Sequence, residues 1–135
     1  MDKKSRLVLV VEDELPVRRP LVSFLEWHGF SVAVAETAEE GLKALKKHTF
    51  IAAVVDLRLR EGSSGRDVVL AAPANIPILI FSGVPSESAE LERIRPLTRL
   101  IEKPYSLNLL VETLAEMLNE SSTPPKEYSG PAPTG

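Results

Sequence analysis

The sequence predicts a doubly wound α/β fold, a five-stranded parallel sheet with helices on both faces, and three observations carry that prediction. Short apolar runs of strand length alternate with amphipathic helical patterns from Leu7 to about Glu120. Two of those runs, Leu7–Val11 and Ile51–Val55, are apolar at nearly every position, as strands buried on both faces must be. Parallel neighbours need crossovers, and right-handed crossovers place helices on either side of the sheet.

The first strand, Leu7–Val11, leads into a helix whose apolar residues Val17, Leu21, Phe24 and Leu25 recur at i, i+4, i+7 and i+8. Gly29 is its expected C-terminal stop. A second strand, Ser31–Ala35, is followed by Thr37 and Glu40, spaced as a capping box, and by Ala38, Gly41, Leu42 and Leu45 on the buried face of a second helix. Strand three is Ile51–Val55, and Gly65 to Ala74 reads as a short third helix. Strand four is Ile76–Phe81; Glu87 to Arg95, stopped by Pro96, forms a fourth helix before strand five at Leu97–Ile101. Ser106 caps the last helix, whose stripe of Leu107, Leu110, Val111, Leu114 and Leu118 ends near Glu120. One folded domain over residues 1–120 is expected. Residues 121–135, SSTPPKEYSGPAPTG, hold almost nothing to bury and read as a disordered tail.

Composition narrows the function. The 135 residues are 44% hydrophobic and 26% charged with a net charge of -3, so one core is expected, without the basic excess that phosphate-backbone binding requires. Direct nucleic-acid binding is therefore not expected. No apolar run reaches the roughly 20 residues of a membrane helix and no secretory signal is evident, which gives a cytoplasmic expectation. With no cysteine, a metal must be held by oxygen donors or by the two histidines.

Strand one ends in Glu12-Asp13-Glu14 and strand three in Asp56. Ligands of such sheets gather at the carboxyl ends of the central strands, so these carboxylates should converge. Two carboxylates about 4 Å apart repel by roughly 4 kcal/mol at an effective dielectric near 20, which raises a pKa or recruits a cation. With oxygen donors alone, Mg²⁺ is the natural ion. Taken singly, the three acids could equally cap the first helix and complement its dipole. Ser82 after strand four and Lys103 after strand five shift the balance, since a hydroxyl and an ammonium at one sheet edge can each contact a phosphoryl oxygen. Aspartate is a known phosphoryl acceptor type.

From Leu7 to about Glu120 the chain resembles the receiver domain of two-component response regulators (CheY-like) on the stretches VLVVEDE, VVDLRL, Gly65, IFSG and EKPY, in the family's order. The resemblance implies the flavodoxin-like strand order 2-1-3-4-5 and a cis peptide before Pro104. It implies that Asp56 is the phosphoacceptor, that Asp13 binds Mg²⁺ directly, that Glu12 helps through a water and that the Arg58 carbonyl is a ligand. Ser82 would be the switch hydroxyl, and Lys103 would contact the phosphoryl group. A histidine kinase or phosphotransfer protein would be the donor. Such a protein is a phosphoacceptor that assists its own phosphorylation and dephosphorylation, not a conventional enzyme. It would act through protein contacts or phosphorelay, without a DNA-binding output segment, as a monomer or weak homodimer.

The chain departs from the family in three places: Leu100 at a position often aromatic, a loop after Asp56 that lacks the usual proline and is one residue longer, and a short third helix. The competing reading is a receiver-like interaction module that is never phosphorylated; the full acidic and lysine set argues against it. His28 and His48 read as surface or capping residues, Phe24, Trp27 and Phe30 as packing at the end of helix one, and Arg18-Arg19 and Lys46-Lys47 as solvated faces.

Overall fold

Ten elements alternate strictly in the computed structural model, which describes residues 6–59, 64–83, 86–103 and 105–121. They are β1 (Leu7–Val11), α1 (Leu15–Trp27), β2 (Ser31–Ala35), α2 (Ala38–Lys47), β3 (Ala52–Asp56), α3 (Gly65–Ala71), β4 (Ile78–Ser82), α4 (Ser86–Ile94), β5 (Thr98–Glu102) and α5 (Leu107–Ser121). The strands form one parallel sheet in the order β2-β1-β3-β4-β5, as expected. Strand order reverses between β1 and β3, so the crossovers leave in opposite directions there and open a crevice at the carboxyl ends.

Side-chain alternation divides the core in two. Leu9, Val11, Ala53, Val55, Ile78 and Ile80 pack towards α2, α3 and α4. Val8, Val10, Ala52, Val54, Leu79 and Phe81 pack towards α1 and α5. The predicted helical stripes hold: Leu21 and Leu25 of α1 and Leu110 and Leu114 of α5 are fully buried. Thr37 accepts from the Glu40 N–H at 3.0 Å, Ser106 accepts from the Leu109 N–H at 3.0 Å, and Gly29, at φ 93, closes α1. The closure is a Schellman motif, with Gly29 N–H donating to Glu26 O and Phe30 N–H to Leu25 O.

β1 and β2 fall where predicted, whereas β3, β4 and β5 start and end one or two residues later. Pro77 explains the start of β4: it has no N–H for a ladder, so pairing begins at Ile78, while the Pro77 carbonyl accepts from Ala53 N–H at 3.1 Å. At the other end, backbone pairing is indifferent to polarity, so Asp56, Ser82 and Glu102 are strand residues. α3 stops at Ala71, not Ala74, because Ala72 precedes Pro73 and is held extended at φ -69, ψ 148.

One surface expectation is refined and another corrected. Trp27 packs at the helix end against the rings of Phe24 and His28, at 6.1 and 5.3 Å, yet stays outside the core at 80% exposed, because two residues beyond Leu25 it is turned about 200° round the helix from it. Phe30 alone of that trio is buried, with Phe24 at the margin of the core. Arg18 is not on a solvated face; its side chain is 13% exposed and donates to the Glu12 carbonyl at 3.0 Å. The expected cis peptide at Pro104, residues 60–63 of the loop after Asp56 and residues 122–135 of the tail lie outside the described residues. Among the described residues, no helix is long and apolar enough to cross a membrane.

Candidate functional site

The site arises from strand parity. Glu12 continues the alternation of Val8 and Val10, its N–H extending the ladder by donating to Ala35 O at 3.0 Å. Asp56 likewise follows Ala52 and Val54, and Lys103 follows Ile101, with Lys103 N–H donating to Ser82 O at 3.0 Å. Three ionisable residues from three strands thus fall on one side of the sheet at its carboxyl edge. Ser82 has the other parity, that of Ile78 and Ile80; it is buried, one residue past Phe81, which is Asp56's partner in register.

Oxygens of Glu12, Asp13 and Asp56 lie within 4.8 Å of one another. Asp56 is 2% exposed, and each of its oxygens has a donor: the Arg58 N–H at 3.0 Å on Oδ1 and Lys103 Nζ at 3.1 Å on Oδ2. Arg58 is itself held by an antiparallel bridge to Ser64. Glu12 is fully buried. Its Oε2 accepts from the Glu14 N–H at 2.9 Å, while Oε1 is buried without a hydrogen-bond partner. Burial pushes the Glu12 carboxyl up to about 8; the Glu14 N–H opposes this, and the Asp56 charge and the neighbouring Asp13 add to it.

Among the described residues, a single ammonium faces the three acids, which leaves this pocket with an excess of negative charge. An orphaned buried carboxylate oxygen, an excess of acid and an all-oxygen donor set together fit a hard divalent cation. The capping alternative accounts for little: Glu14 occupies the N-cap of α1 but makes no side-chain cap bond.

Several supporting residues were not legible in the sequence. Gly65 is one whose motif position was visible and whose role was not: a Cβ there would fall 2.2 Å from the Asp56 carbonyl oxygen, so only glycine lets α3 start against the end of β3. Arg18 clasps the Glu12 carbonyl and reaches Glu36 at 3.7 Å. The Phe81 ring lies under Lys103, with Nζ 5.2 Å from its centroid, and Tyr105 packs against the same ring at 5.3 Å. Tyr105's hydroxyl is pushed up to about 12, by burial first and then by the charges of Glu12 and Asp56. A cleft of about 500 Å³ opens beside Lys103, floored by Pro16, Val17, Pro20 and Leu107. The histidines lie elsewhere: His28 Nδ1 is 2.9 Å from Phe24 O at the end of α1, and His48 ends α2.

A sequence profile of the response regulator receiver domain matches residues 8–115. The regulatory protein VirG of Rhizobium rhizogenes is 30% identical over 117 residues, which are 84% of this chain and 48% of VirG. RegA, a photosynthetic apparatus regulatory protein of Cereibacter sphaeroides, is 29% identical over 91% of this chain and 68% of its own length. The chain thus spans about half the length of VirG. Among solved structures, a CheY-like receiver domain protein from Methanospirillum hungatei superposes with a TM-score of 0.78 at 25% identity, covering 86% of this chain and 95% of that one.

Proposed function

Because this chain belongs to the response regulator receiver domain family, we propose that Asp56 accepts a phosphoryl group from a histidine kinase or a histidine phosphotransfer protein. One observation carries the reading: Asp56 is buried at the end of a central strand, with Lys103 on one oxygen and two further carboxylates within 4.8 Å. Asp56 attacks phosphorus through a carboxylate oxygen, the bond from phosphorus to the donor's imidazole nitrogen breaks, and an acyl phosphate forms.

Asp13, Asp56 and the Arg58 carbonyl would hold Mg²⁺, with Glu12 acting through a water. The ion supplies positive charge to phosphoryl oxygens that would otherwise be repelled by three acids. Lys103 is the cation the chain itself contributes; its ammonium, already on Asp56, shifts to share an oxygen of the incoming group. Ser82, buried at the end of β4, offers a hydroxyl to another phosphoryl oxygen. Engaging Ser82 and Lys103 together draws the ends of β4 and β5 towards Asp56 and shifts a pre-existing equilibrium of the adjoining loops. With Leu100 partly buried against the α2–α4 side of the core, this shift would run without an aromatic side chain at that position. Output would pass to a downstream protein by contact or by onward phosphoryl transfer. Residues 1–120 would make up the receiver unit.

Incubation with Mg²⁺ and a small phosphodonor, followed by intact mass measurement, tests the assignment. The wild type should gain the mass of one phosphoryl group, and Asp56→Asn should gain none. Equal labelling of both proteins refutes it.

A further inference from the structure

We propose that Phe81 is a positioning residue for Lys103: its buried ring is the seat that holds the ammonium over Asp56. The proposal rests on the reading of Asp56 as the phosphoryl acceptor and adds a residue to it. A lysine is a point charge on a flexible four-carbon stem, so aiming it requires contacts beyond its single ion pair. Lys103 keeps 32% of its side chain exposed, enough for the ammonium to turn to water if Asp56 were its only restraint.

The structure supplies two more restraints, from Ser82 and Phe81, the last two residues of β4. The Lys103 N–H donates to Ser82 O at 3.0 Å, placing the start of the side chain beside the end of β4. Nζ then lies 5.2 Å from the centroid of the Phe81 ring, within the range in which the negative face of an aromatic ring attracts a cation. The ring is itself immobilised. Phe81 is fully buried in the core between the sheet and α1 and α5, and Tyr105 packs against it at 5.3 Å and 55°. Lys103 and Tyr105, two residues apart, therefore meet the same ring, which fixes the chain on both sides of position 104. An aliphatic residue at 81 would fill the core without offering a negative face to the ammonium.

The test is a double-mutant cycle on the full chain, with Phe81→Leu and Lys103→Ala singly and together, reading the rate of Asp56 phosphorylation by acetyl phosphate with Mg²⁺. Phe81→Leu should slow the reaction about three- to tenfold in the presence of Lys103. In the Lys103→Ala background the same change should alter the rate by less than about twofold, because a residue acting through the lysine has nothing left to position. Equal slowing in both backgrounds identifies Phe81 as packing alone and overturns the proposal, as does an unchanged rate. Proton NMR of the Lys103 ε-methylene supplies a readout independent of transfer. Its resonances should lie upfield of the other lysines in wild type and rejoin them in Phe81→Leu. Unshifted resonances in wild type overturn the seat itself. Shifted resonances in a chain that acetyl phosphate never labels would instead overturn the acceptor reading, and with it a positioning role in transfer.

Discussion

Replacing Gly65 by alanine puts the construction of the acidic pocket under direct strain. The added Cβ would fall 2.2 Å from Asp56 O, 2.7 Å from Val55 Cγ1 and 3.0 Å from Asp56 C. Two of these three atoms are backbone of β3, which is paired with β1 on one side and β4 on the other, and Val55 is fully buried. The strand cannot yield, so the start of α3 must retreat by roughly 1 Å to restore an ordinary contact. That retreat loosens the Gly65 N–H bond to Leu57 O, now 3.1 Å, and the Arg58–Ser64 bridge. Overpacking at about 1–3 kcal/mol and a weakened hydrogen bond at about 1 kcal/mol outweigh the helix preference of alanine over glycine at about 1 kcal/mol, leaving a loss of about 1–3 kcal/mol. The thermal midpoint should drop by roughly 4–10 °C. Phosphorylation of Asp56 should slow about tenfold or more, since the Arg58 N–H that orients Oδ1 moves with the loop. Gly83→Ala serves as the control: it meets nothing within 4 Å and should leave the midpoint unchanged. A Gly65→Ala protein melting within about 2 °C of wild type would refute the reasoning.

The remaining predictions concern charge. Glu12 ionises at about 8 in the folded protein and near its ordinary value of 4.5 when unfolded, so between those values the native state holds the extra proton. Stability without divalent cations should therefore fall with rising pH across that window, at up to about 1.4 kcal/mol per pH unit. Urea titrations at several pH values should show the decline in wild type and its loss in Glu12→Gln, and a decline that persists in the variant rejects Glu12 as its source. Lys103→Ala leaves the buried Asp56 charge without its ammonium and should destabilise by about 2 kcal/mol, with Asp56→Asn in the same chain recovering most of the loss; denaturation of the four proteins of that cycle checks this. Arg95, 5% exposed, donates to the carbonyls of Pro73 and Ile76, the latter at 2.8 Å, and to Thr98 Oγ1 at 3.3 Å. Burial lowers its affinity for a proton, but these acceptors retain the charged form. Arg95→Met should lower stability by about 3 kcal/mol by orphaning those carbonyls, with no effect on the phosphorylation rate at temperatures where the variant is folded; a loss below about 1 kcal/mol in calorimetry would count against the staple.

By itself the sequence determined the order of elements, the two-sided burial of the central strands and the acids at their ends. Each of these depends on neighbours in the chain: apolar period, cap spacing and the polarity step from Val11 to Glu12 or from Val55 to Asp56 are all local. That is also why Glu12, Asp13, Asp56 and Lys103 were legible as a set once the strands were placed, and why Ser106, Thr37 and Gly29 were legible as helix punctuation. Only the tertiary structure decided what crosses between elements. It decided that Trp27 faces outward, that Arg18 turns back onto the Glu12 carbonyl, that Arg95 ties together the carbonyls of Pro73 and Ile76 and the Thr98 hydroxyl and that Phe81 lies beneath Lys103. Gly65 belongs to the same group, since the atom that excludes a side chain there is the carbonyl of Asp56, nine positions earlier. Close approach between residues brought together by a crossover leaves no periodic trace in either segment, because packing selects for shape across the gap and not for a repeating pattern along the chain.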